Sequence, residues 1–206
     1  MECRFCNINS GNYHYEEVDQ PFIKNTDFFA IASIGALVEG WSLVIPKKHQ
    51  LSMKSCYQNK SFQKIVNDIL PSMKKEYGNI IAFEHGSNKE GSLTACGTDH
   101  AHMHLVPFES LYENMIESGL KWEKCLASEI NQRINDKEYL FYIDLENIVN
   151  WENPEGYLHV LDYPISQFFR RLIATKLGKL DVSNYKDFPH FENSKTTQKS
   201  LEKLIA

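Results

Sequence analysis

Along the first half of the chain, apolar residues recur in short runs separated by polar residues and glycines. Residues 28–32 and 41–46 read as two strands, the second ended by Pro46. Over 61–77 the spacing changes, with Phe62, Ile65, Val66, Ile69, Leu70 and Met73 recurring as on one side of a helix. Ser61 is its expected N-cap, Gly78 its stop, and Pro71 an expected kink or break. Strands follow at 79–83 and 100–107, with a small-residue loop over 86–97 between them. Beyond Ser110 the character changes. A helix is expected over 122–134, then strands over 139–143 and 157–161 joined through Asn153-Pro154-Glu155-Gly156. A further helix starts near Ser166 and stops at Gly178, and the last twelve residues suggest a frayed amphipathic helix. The pattern predicts an α+β chain, with a strand-rich unit over 1–110 and an appended α/β segment over 111–206.

The bulk numbers narrow the function. A chain of 206 residues with 42% hydrophobic and 24% charged residues has enough apolar mass for a packed core. Its formal net charge of −5 makes a long nucleic acid a weak partner, while a small phosphorylated ligand in a local basic pocket stays open. No run approaches the ~18 consecutive apolar residues of a membrane span, and Met1-Glu2-Cys3-Arg4 begins no signal-peptide core. A soluble cytoplasmic protein is expected. The five cysteines are an odd number, and Cys3 and Cys6 form a C-x-x-C pair, which reads in a reducing compartment as a metal clip or redox site.

The chemistry concentrates in His100-Ala101-His102-Met103-His104. On a strand, alternate side chains share a face, so the three histidines line one surface while Ala101, Met103 and Leu105 pack inward. Adjacent imidazoles repel when protonated, so such a site keeps most of them neutral or supplies an anion or a metal. Two uses fit: convergence on zinc, or nucleophilic attack by a neutral imidazole on an electrophile such as phosphorus.

The run resembles the histidine triad signature, His-φ-His-φ-His-φ-φ with φ hydrophobic. The likeness extends upstream through Cys3-Arg4-Phe5-Cys6, Phe29-Ala30-Ile31, the block Gly40-Trp41-Ser42-Leu43-Val44-Ile45-Pro46-Lys47-Lys48-His49, and Glu84-His85-Gly86. Order and spacing suit a histidine triad domain over roughly residues 1–108. The resemblance implies an antiparallel sheet of about five strands with a packed helix, here with a C-terminal α/β extension, and a possible homodimer.

It also implies roles. The middle histidine, His102, would attack the α-phosphorus of a nucleotide derivative and form a covalent nucleotidyl-histidine. His104 would contact phosphate oxygens or assist the leaving group. Backbone N–H groups of Cys96, Gly97 and Thr98 would cradle the phosphate, and a backbone carbonyl would hold the second nitrogen of His102. In the metal-containing branches, Cys3, Cys6, His49 and His100 would bind a structural Zn2+. Ser33 stands where such hydrolases often carry Asp or Asn on the ribose, Trp41 stands where histidine is usual and suggests packing, and His104 is retained where the uridylyltransferase branch has glutamine. Gln167, Arg170 and Arg171 lie within one helical turn, either reaching over the site to bind a leaving-group phosphate or sugar, or solvated. His85, His159 and His190 carry no motif. Three readings follow: a nucleotide phosphohydrolase acting on a dinucleoside polyphosphate, phosphoramidate or nucleotide-sugar-like compound; a nucleotidyltransferase or phosphorylase sharing its intermediate; and a non-catalytic, zinc-stabilised nucleotide-binding protein.

Overall fold

The computed structural model describes residues 3–205. It is α+β. Its strands are β1 (Ile23–Lys24), β2 (Phe28–Ala32), β3 (Ser42–Pro46), β4 (Ile80–Gly86), β5 (Met103–Pro107), β6 (Glu123–Leu126), β7 (Tyr139–Asp144) and β8 (Glu155–Val160). They form one antiparallel sheet in the order β1-β2-β3-β5-β4-β7-β8-β6. Eight strands exceed the expected five because β7, β8 and β6 from the second half of the chain continue the sheet beyond β4.

The central strands are mostly apolar because both faces are covered. On one face Ala30, Val44, Ala82, Met103, Leu105, Phe141 and Ile143 pack against the long helix α2 (Lys60–Tyr77). On the other, Phe29, Ile31, Leu43 and Ile45 lie under Phe5 and Ile8 of helix α1 (Arg4–Asn9). Further along that face Ile81, Phe83, Leu140 and Tyr142 lie under Phe168, Phe169, Ile173 and Ala174 of a helix at Phe168–Lys176. Between these two apolar clusters the register sets Leu43, His104, Phe83 and Tyr142 side by side on adjacent strands. The sheet is therefore polar on this face at His104 and at His85, two residues along β4 from Phe83.

Several expectations change. Helix α2 runs unbroken through Pro71, and its N-cap is Asn59, whose side chain accepts from Ser61 N at 2.7 Å, rather than Ser61. Pro71 faces solvent, and burying six apolar side chains on the opposite face at roughly 1.5–3 kcal/mol each outweighs a proline defect of about 3 kcal/mol. The helix expected over 122–134 is strand β6 followed by a short helical turn, Ile130–Arg133. Pairing of β6 with β8 prevails over helical spacing there. The last helix spans Phe191–Ile205 and is docked, not frayed. Its buried Ser194 donates to Ser33 O at 2.7 Å, and Thr197 accepts from Gly40 N at 2.8 Å. Small hydroxyls of this helix thus satisfy the backbone of the 33–40 loop. The helices between are α3 (Tyr112–Glu117), α4 (Ile130–Arg133) and α5 (Phe168–Lys176), with α6 (Phe191–Ile205) last. Among the described residues, no helix is long and apolar enough to cross a membrane.

One ionisable group sits under the opposite face. Glu84 is buried, accepts from Met53 N at 2.6 Å and Tyr139 OH at 2.6 Å, and also binds the Tyr57 hydroxyl. Burial pushes its carboxyl up to about 7, against the lowering effect of those donors.

Candidate functional site

The paired strand β5 begins at Met103, so only His104 lies in the ladder, and the strand expected from His100 starts later. His100 and His102 occupy the extended segment leading into it. That segment's backbone bonds elsewhere: His100 N to Thr98 O at 2.8 Å and Ala101 N to Gln50 O at 2.6 Å. The imidazoles still lie together, with His102 and His104 ring centroids 4.9 Å apart. Phe5 sets its ring edgewise to both His100 and His102, at 5.6 and 5.5 Å, joining α1 to the triad. The start of α1 is anchored by the Arg4–Asp19 ion pair, while Asp19 also accepts from His14 N and Tyr15 N at 2.9 and 2.8 Å.

Each histidine of the triad has one nitrogen committed, and the commitments differ. His100 donates from Nε2 to Pro46 O at 2.8 Å, which leaves Nδ1 unprotonated and directed at the thiols. That Nδ1 is 3.2 Å from Cys3 Sγ and 3.7 Å from Cys6 Sγ, and Cys6 Sγ is 3.4 Å from His49 Nδ1. The four ligand atoms of Cys3, Cys6, His49 and His100 all lie within 4.8 Å of one another. A tetrahedral ion with sulfur at about 2.3 Å and nitrogen at about 2.0 Å spaces its S and N ligands about 3.5 Å apart, so the cluster could hold a metal ion. Burial pulls His100 down to about 4, and burial and the neighbouring Cys3 thiol push Cys6 up to about 11.

His102 donates from Nδ1 to the His100 carbonyl oxygen at 2.8 Å, leaving its Nε2 lone pair free. Burial lowers its pKa, so the ring is neutral near pH 7. His104 is held the opposite way: its Nδ1 accepts from Trp41 Nε1 at 2.9 Å, and Phe83 stacks on it at 4.5 Å.

His102 and His104 open into a cavity of about 940 Å³ between α1, the 95–99 loop, α5 and the segment before α6. Ser33, Cys96, Gly97, Thr98, Gln167 and Arg170 all line it; Arg171 does not. On α5 the side chain of Arg170 is buried beside Phe169 and Ile173, and the next residue, about 100° around the helix, points to solvent. Ser33 lines the wall with its hydroxyl turned to Ile34 O at 3.2 Å. The loop cradle is narrower than expected. Cys96 N and Thr98 N are bonded inward, to Leu93 O and Ala95 O at 3.0 Å each, which leaves Gly97 N as the available donor of the three expected. Gly97 has φ +86°, and a Cβ there would stand 2.7 Å from Lys186 Nζ, so a side chain would displace the lysine.

The cavity is lined by the cations Arg4, Arg170 and Lys186 and by the carboxylates Glu90 and Asp99. The Arg170 guanidinium lies 4.5 Å over the Trp41 ring and donates to Gly35 O, and among the described residues it forms no ion pair with a carboxylate. Burial draws it down to about 10. Sequence reasoning missed Trp41, Arg4, Lys186 and His85, all of which line the cavity. His85 has its Nε2 buried without a partner and is pulled down to about 3, by burial first. Its signal was its spacing: two residues from Phe83, it shares the face on which His104 lies.

No protein-family model matches the chain, and no curated protein matches it. Solved structures do. One is a hypothetical histidine triad nucleotide-binding protein from Sulfolobus tokodaii, 21% identical over 52% of this chain and 76% of that one, with a TM-score of 0.41. Another is a HIT-like protein involved in cell-cycle regulation from Bartonella henselae, 22% identical over 42% of this chain and 67% of that one, with a TM-score of 0.33. The chain resembles histidine triad proteins.

Proposed function

We propose that this protein is a nucleotide phosphohydrolase that attacks the α-phosphorus of a nucleotide derivative with His102 and passes through a covalent nucleotidyl-histidine. The observation that carries this reading is the His102 ring on the cavity wall, with Nδ1 2.8 Å from the His100 carbonyl oxygen. That bond places the ring proton on Nδ1 and leaves the Nε2 lone pair for attack, while burial favours the neutral ring. Splitting one displacement into two is the general advantage of such a nucleophile. The Nε2–H of His104, the Gly97 N–H and the cations Arg170 and Lys186 provide donors for phosphate oxygens. A volume of about 940 Å³ accommodates a nucleotide with its leaving group.

The same reading assigns Zn2+ to Cys3, Cys6, His49 and His100. Two thiolates and two imidazoles suit tetrahedral zinc, and a closed four-ligand site serves structure. Bound there, the ion ties α1 to His100, the residue whose carbonyl orients His102. A C-x-x-C set kept reduced for metal fits a cytoplasmic protein.

The test is mass spectrometry of the zinc-loaded protein mixed with nucleotides and nucleotide conjugates. A nucleotidyl adduct on His102, with turnover lost and nucleotide binding kept in His102→Ala, is the expected result. Equal turnover by the variant overturns the reading, and binding without turnover by the wild type favours a non-catalytic nucleotide-binding protein. Adding inorganic phosphate or a sugar phosphate as acceptor separates hydrolysis from transfer.

A further inference from the structure

Trp41 decides what His104 can do. An indole N–H only donates, so the 2.9 Å bond to His104 Nδ1 requires that nitrogen to keep its lone pair. The single ring proton then sits on Nε2, towards the cavity. A second proton would have to enter at Nδ1 and meet the indole N–H head-on. Arg170 lies on the face of the same indole at 4.5 Å, which polarises the N–H into a stronger donor. The titratable groups facing His104 from neighbouring elements are His102, His85 and Arg170, none of them an acid. Burial and these neighbours hold His104 well below the usual histidine range.

We infer that Trp41 fixes His104 as an uncharged hydrogen-bond donor through Nε2, and that the protein therefore acts on nucleotides whose leaving group departs as an anion, such as phosphoric anhydrides, and discriminates against phosphoramidates and alkyl esters. The inference rests on the nucleotidyl-His102 reading and deepens it.

The step balances without a proton from His104. The Nε2 lone pair of His102 forms the N–P bond, the P–O bond to the leaving group breaks, and its electron pair leaves on oxygen. Were a neutral His104 to surrender its Nε2 proton, it would become an imidazolate, so it donates a hydrogen bond and keeps the proton. The departing anion meets Arg170 and Lys186, which line the same cavity. Water then adds to phosphorus, the N–P bond breaks with its pair returning to Nε2, and the water proton passes to solvent. An amine or alkoxide leaving group needs a proton that this arrangement withholds.

The experiment compares leaving groups at constant nucleotide. The p-nitrophenyl esters of AMP, GMP, CMP and UMP, which release a stable phenolate, identify a reactive nucleotide. The propylamide of that nucleotide is then compared with its ester, in the wild type and in Trp41→Phe, which keeps an aromatic ring and removes the N–H. The wild type is expected to favour the ester by at least about 100-fold beyond the ratio in buffer, the lower end of what a general acid supplies. In Trp41→Phe the ester rate falls and the ester-to-amide ratio narrows by about tenfold or more, because Nδ1 becomes free to take a proton. A merely structural role for Trp41 would lower both rates and leave their ratio unchanged, which overturns the inference, as does a wild-type ratio within tenfold of that in buffer. Failure of every ester to label His102 overturns the nucleotidyl-transfer reading instead. Should Trp41→Phe not fold, two-bond 1H–15N correlation spectra of the wild type decide: an Nε2–H tautomer at His104 upholds the inference, and an Nδ1–H tautomer or an imidazolium at pH 6 sinks it.

Discussion

The carbonyl oxygen of His100 lies 2.8 Å from Nδ1 of His102, while Nδ1 of His100 itself lies 3.2 Å from the Cys3 thiol. One residue therefore faces the proposed metal through its side chain and the proposed nucleophile through its backbone. The segment that joins them is too short to move independently, so order at the cysteines becomes order at His102.

Zinc removal is the first consequence. Chelation, or Cys6→Ser, is expected to lower the thermal midpoint by several degrees and to reduce turnover by more than the loss of folded protein accounts for, since metal binding energy at such sites is folding energy. Calorimetry and metal analysis of the same samples check it; a metal-free protein with unchanged midpoint and activity would contradict the assignment.

The two arginines of α5 should separate cleanly. Arg170→Met is expected to weaken nucleotide binding by about 10- to 100-fold, the worth of one or two charge-assisted hydrogen bonds in a buried site. Arg171→Met, altering a solvent-facing side chain, should leave binding and stability nearly unchanged. Titration calorimetry on both variants reads the difference, and equal effects would refute the placement.

Glu84 gives the stability a pH dependence of known sign. Its carboxyl titrates at about 7 in the folded protein against 4.5 as its ordinary value. Between those limits the folded state holds more protons than the unfolded one, so this group's contribution falls as pH rises, by up to about 1.4 kcal/mol per pH unit. The buried neutral histidines act oppositely, since His85 and His100 have lowered pKa values and cost stability as pH falls. Only a difference isolates Glu84. Denaturant unfolding of wild type and Glu84→Gln from pH 4.5 to 7.5 should show the wild type losing ground to the variant as pH rises; parallel curves would mean the carboxyl titrates normally.

The last helix offers a packing test. Thr197→Val keeps the shape of the side chain but removes the acceptor for Gly40 N, leaving a buried donor unpaired, so a loss of about 1–3 kcal/mol is expected. Urea unfolding measures it, and an unchanged midpoint would show that the Gly40 N–H does not depend on Thr197.

Local pattern was enough to read β2, β3, β7 and the body of α2, where apolar spacing and burial agree. It failed at β6, where the residues buried are Cys125, Ala127, Ile130 and Ile134, a spacing that a strand followed by a helical turn imitates. It read Trp41 as packing, which its full burial in the core bears out, but missed the bond its indole makes. Nothing near residue 41 in the chain reveals that its indole meets a histidine 63 positions away.

What the sequence determined by itself is the chemical inventory and its local order: alternate histidines, a C-x-x-C pair, the apolar periods of strands and helix. These follow from short-range rules, because side-chain direction along an element depends only on its own repeat. The tertiary structure alone decided which nitrogen of each imidazole is committed, that Arg170 and not Arg171 enters the cavity, and that Gly97 keeps the available N–H of the three expected. Those outcomes turn on which distant carbonyl, indole or helix arrives within about 3 Å, and such meetings are set by how the layers pack.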